Sequence, residues 1–132
     1  MDAKLKEVIR ASSFQVVTGD FVYAKVKTRP VDKHFLVTED ESEITVVTKE
    51  EQLSELDLIE RNKEIYTLVM LNVSVPFYAV GFLAAISSVI AEQGMNILII
   101  STYSKDYILI KKESAEKAQW ALHNLGLTPL YV

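Results

Sequence analysis

Two residues in the C-terminal half stand where chemistry and chain geometry compete as explanations. Asp106 falls in the polar turn Tyr103-Ser104-Lys105-Asp106, between the apolar runs Met95 to Thr102 and Tyr107 to Ile110. Aspartate is common in turns because its carboxylate bonds nearby backbone groups. The same carboxylate can pair with an ammonium group through a charge-assisted hydrogen bond. Gly81 opens a helical pattern, where glycine costs roughly 1 kcal/mol relative to alanine and calls for a compensating gain. Tight packing would supply that gain, and so would close approach of a ligand to the first turn. The free N–H groups and positive dipole end of such a turn suit a carboxylate. A helix start for a carboxylate and an aspartate for an ammonium form a clamp for a zwitterion, and a free amino acid is one.

Catalytic readings find little to stand on. The sequence contains no Gly-x-Ser-x-Gly, no His-Glu-x-x-His and no phosphate-binding loop. His34 opens a predicted strand and His123 lies late on a predicted helix, neither with partners at metal-ligand spacing, so both are expected to be structural. The run Glu39-Asp40-Glu41-Ser42-Glu43 lacks the ligand spacing of a calcium loop and reads as the solvated tip of a hairpin. The expectation is therefore no catalytic residue, no metal and no cofactor.

Composition narrows the partners. The chain has 132 residues, 49% of them hydrophobic, enough for a buried core. A net charge of −4 with dispersed basic residues argues against nucleic acid, which needs clustered Lys and Arg. The absence of cysteine removes disulfides and thiolate chemistry and fits a reducing compartment. Residues 1 to 10 mix charges with few apolar side chains, unlike a secretory signal. The run Val80 to Ile100 is interrupted by Ser87, Ser88, Glu92, Gln93, Gly94 and Asn96, so no membrane span is expected. The chain reads as soluble and cytoplasmic.

The elements that must position Gly81 and Asp106 follow from periodicity. Strands are expected over residues 21–27, 34–38 and 44–48, the last two forming the acidic-tipped hairpin, with a polar connection from Lys49 to Leu56. A longer strand over 64–75 ends at Pro76. The stripe Phe82, Leu83, Ile86, Val89 and Ile90 predicts a helix from about Ala79 to Gln93, closed by Gly94 at its C′ position. Met95 to Thr102 reads as a strand covered on both faces. Ser114 is placed to cap a second helix that buries Ala118, Ala121, Leu122 and Leu125, and Gly126 ends it. Pro129 puts the last strand, 127–132, at a sheet edge or in a bulge. The order from Ile65 onward is βαββαβ, an α+β sandwich of the ferredoxin-like type.

The pieces Phe77…Gly81-Phe82-Leu83-Ala84, Gly94-Met95-Asn96-Ile97 and Ile100-Ser101-Thr102-Tyr103…Asp106-Tyr107-Ile108-Leu109 resemble the ACT domain. This is the amino-acid-sensing module of many biosynthetic enzymes. The closer resemblance is to free-standing tandem proteins related to aspartate-kinase regulatory regions and cytosolic arginine sensors. It implies an ACT domain over 63–132 preceded by an incomplete, β-rich ACT-like half over 1–62. It also implies a non-catalytic regulatory protein, a homodimer, with an amino acid or similar small metabolite at the junction of ACT-like units. Ala79, Val80, Gly81 and Phe82 at the helix start, with Thr102, Tyr103 and Asp106 in the hairpin, are the candidate ligand-binding residues. Phe77, Phe82 and Tyr103 favour an apolar or small ligand side chain. The alternative is an assembly module with an empty pocket.

Overall fold

Asp2 accepts a hydrogen bond from the Lys4 N–H (2.8 Å) and caps a short helix, α1 (Ala3–Arg10). Leu5, Val8 and Ile9 follow the i, i+3, i+4 spacing of a helix that buries one stripe. Ile9 is buried, and Leu5 and Val8 pack against the same core. The sequence reading, which finds strands in the first half, does not include this helix. The structure, a computed structural model, describes residues 1–74 and 79–131. The expectations for Val75, Pro76, Phe77, Tyr78 and Val132 lie outside the described residues.

The chain forms two compact units, one of Met1–Thr18 with Thr67–Val132 and the other of Gly19–Tyr66. The division expected along the chain, 1–62 and 63–132, is a single cut. The compact units need two, because the N-terminal helix packs with the C-terminal half. Strand β1 (Ser13–Val26) contributes to both units.

In the smaller unit, Phe21–Val26 of β1 pairs antiparallel with β3 (Ile44–Lys49), and β3 pairs antiparallel with β2 (Leu36–Glu39). Asp40 shapes the acidic hairpin tip, its Oδ1 accepting from the N–H groups of Ser42 (2.8 Å) and Glu43 (3.0 Å). The polar connection is a 3₁₀ helix, Glu50–Glu55, and it leads into β4 (Leu58–Arg61), a strand that periodicity does not reveal. Strand β4 pairs with Ala24–Val26 of β1, across a register irregularity between Lys25 and Val26. Ala24, Val26 and Val46 form the apolar centre, with Ile44, Leu53 and Leu56 against it. Buried Thr48 donates to Gln52 Oε1 (3.1 Å) and accepts from His34 Nδ1 (2.7 Å), so His34 has the structural role expected of it. The rings of Tyr23 and Tyr66 meet edge to face, 5.9 Å apart. Burial, reinforced by Tyr66 nearby, raises the Tyr23 hydroxyl above the usual tyrosine range.

The larger unit carries the βαββαβ order: β5 (Tyr66–Asn72), α2 (Phe82–Glu92), β6 (Leu98–Ser101), β7 (Asp106–Lys111), α3 (Ala115–Leu125) and β8 (Thr128–Leu130). Val69 and Leu71 of β5 and Ile108 and Ile110 of β7 alternate onto one sheet face. There they meet Phe82, Ile86 and Ile90 of α2, Ala118, Ala121 and Leu122 of α3, and Ile9 of α1. This is the helix-on-sheet packing of the ferredoxin-like class, with α1 added. Gly94 follows the C-cap of α2 at φ +78° with open space around it, the left-handed position expected of it. Ser114 stands at the N-cap of α3, but its side chain makes no cap hydrogen bond.

Strand β8 pairs in parallel with Ser13–Gln15 of β1, so the sheet of this unit is not purely antiparallel. The neighbours run β8-β1-β5-β7-β6, and Pro129, which lacks an N–H, sits in a strand that among the described residues pairs with β1 alone. Strand β6 (Leu98–Ser101) has β7 on one side and ends the order. Along it Ile99 and Ser101 are exposed on one face, so the apolar run Met95 to Thr102 is not covered on both faces.

Candidate functional site

The hairpin β6–β7 pairs Ile100 with Tyr107 and Ser101 with Asp106, so Asp106 begins the strand instead of sitting in the turn. Its Oδ1 accepts from the Ser101 hydroxyl at 2.6 Å. Four residues then close the turn. The Thr102 N–H donates to the Lys105 carbonyl (2.8 Å), its hydroxyl donates to the same carbonyl (3.1 Å), and the Lys105 N–H donates back to that hydroxyl (3.3 Å). This triple closure fixes the turn from which Lys105 and Asp106 project. The Lys105 ammonium has no ion pair among the described residues.

Opposite stands the start of α2. The Phe82 N–H donates to the Ala79 carbonyl (3.1 Å) and the Ala85 N–H to the Gly81 carbonyl (2.9 Å). Gly81 is the N-cap and offers no side chain to the turn, so no side-chain oxygen caps the helix start. Its φ is +86°, a left-handed conformation, so it lies before the helix and not within it. A methyl group there would come within 3.2 Å of Leu5 Cδ2 on α1. Its glycine identity is thus explained by backbone conformation and helix packing, the tighter of the two alternatives open in the sequence.

Between hairpin and helix start lies an open cleft of about 330 Å³. One wall is apolar, built from Val73, Ala79, Val80, Phe82 and Leu83, and the other is the polar stretch Ser101 to Asp106. Six of the seven candidate residues, Ala79, Val80, Phe82, Thr102, Tyr103 and Asp106, line it, and Gly81 does not. Val80 and Tyr103 form an exposed rim. Among the lining residues that sequence reasoning passed over, Ser101 and Lys105 matter most. A hydroxyl opposite a hairpin aspartate and a lysine beside it were the available signals. No group of acids and histidines among the described residues is placed to hold a metal ion, and no described helix is long and apolar enough to cross a membrane.

With this geometry in view, the comparisons are specific. Residues 62–124 match the family model of the ACT domain. No curated protein matches the sequence. A crystal structure from Vibrio cholerae, of a protein of unknown function described as a possible transport protein, superposes with a TM-score of 0.80 at 25% identity. It spans 93% of this chain and 96% of that one. A protein from Agrobacterium tumefaciens follows with a TM-score of 0.73 at 18% identity, over 90% and 92% of the two chains. A putative C-terminal regulatory domain of aspartate kinase from Porphyromonas gingivalis gives a TM-score of 0.57 at 16% identity, over 86% and 95%. The last two share the fold.

Proposed function

We propose that the chain is a non-catalytic regulatory protein that binds a free amino acid in the cleft between the start of α2 and the β6–β7 hairpin. The observation that supports this reading is that residues of the α2 start, Phe82 and Leu83, and the Asp106 carboxylate line one cleft, beside a helix start with no side-chain cap. The helix start takes the ligand carboxylate, and Asp106 takes the ammonium. The ACT-domain match supports a regulatory, ligand-binding role, and an aspartate kinase regulatory domain shares the fold. In this reading the protein is a cytoplasmic homodimer. A second copy covering the free edge of β6 would close the neighbouring cleft, so that the junction of ACT-like units is the binding site. A ligand preferring one arrangement of the copies would then shift their populations, with a coupling typically of about 1–3 kcal/mol.

The test is thermal unfolding of the whole chain in the presence of each common amino acid. A ligand at 100 times its dissociation constant stabilises the native state by about 2.7 kcal/mol, which raises the midpoint measurably. No shift with any amino acid would sink the binding reading. It would leave the assembly module, which the exposed Ile99 on the free β6 edge favours on its own account.

A further inference from the structure

We draw no further inference here: the strongest candidate, the surface patch formed by Leu58 and Ile59 on the edge strand β4, is an apolar edge flanked by the acids Asp57 and Glu60, and nothing in the structure shows what covers it.

Discussion

Ser101 and Asp106 face each other on the last rung of the β6–β7 hairpin, and the serine hydroxyl donates to the aspartate carboxylate at 2.6 Å. An ionised carboxylate accepts about four hydrogen bonds, so this contact fixes its rotamer while leaving acceptor capacity for an ammonium. The residue that looked like a turn former is instead a strand residue whose side chain is oriented by its cross-strand partner. That arrangement lowers the ordering cost that a ligand would otherwise meet.

Asp106→Asn keeps an oxygen for Ser101 but removes the charge. Loss of a charge-assisted hydrogen bond costs about 1.5–3 kcal/mol, so ligand affinity by calorimetry should fall by roughly 10- to 150-fold. The thermal midpoint without ligand should hardly change. Unaltered affinity would return Asp106 to a purely structural role.

Gly81→Ala should destabilise the fold by about 1–2 kcal/mol, because the left-handed backbone at φ +86° brings a Cβ against the following carbonyl. Chemical denaturation measures this directly. Pairing it with Leu5→Ala removes the 3.2 Å contact but not the backbone strain. The double variant should therefore recover little of the loss attributable to Gly81→Ala alone.

Thr48→Val removes the hydroxyl that serves both His34 Nδ1 and Gln52 Oε1. Valine keeps the shape, so the loss should be the cost of stranding two partly buried polar partners, about 1–3 kcal/mol by urea denaturation. A change below a few tenths would mean that water replaces the hydroxyl without penalty.

Alkaline pH should act through Tyr23. Its hydroxyl is raised by burial first and by Tyr66 second, so the native state holds its proton after the unfolded state has lost it. The associated stability is complete below the unfolded value near pH 10 and is lost as pH rises through the folded value. Denaturation midpoints measured above about pH 10 should fall, and Tyr23→Phe should flatten that fall.

Self-association should run through the β6 edge. Sedimentation of the native chain at micromolar concentration should give a dimer, and Ile99→Lys should shift it to monomer by placing a charge on the exposed edge. A native chain that sediments as a monomer would contradict this assembly.

Local signals in the sequence carried much of this architecture. The stripe Phe82-Ile86-Ile90 and the stop at Gly94 locate α2, and Ala118, Ala121 and Leu122 mark the inner face of α3, because helix periodicity and caps are written in neighbouring residues. What periodicity does not contain is which strand lies beside which. Leu98 to Ser101 is apolar enough for an interior strand, yet the strand order leaves it at an edge. Helix α1 escaped because its stripe, Leu5, Val8 and Ile9, is brief and most of its partners are about sixty or more residues away. At the candidate site, Asp106 was legible from its turn-flanked position. The role of Gly81 was not, because composition alone does not separate a helical glycine from a left-handed one before the helix.

Ser12 is buried where α1 ends, its hydroxyl donating to the Val8 carbonyl (2.6 Å) and accepting from the Ser74 N–H (3.1 Å), while its own carbonyl accepts from the Thr128 N–H (3.1 Å). Residues near the two chain ends are thus stitched to one another. During synthesis, Gly19–Tyr66 emerges as one uninterrupted stretch and has its full set of internal partners early. The cleft-bearing unit, which includes β8, must wait until that strand has left the ribosome. Its long-range closures make it the slower part to mature. The walls of the cleft would then be set later than the fold of Gly19–Tyr66.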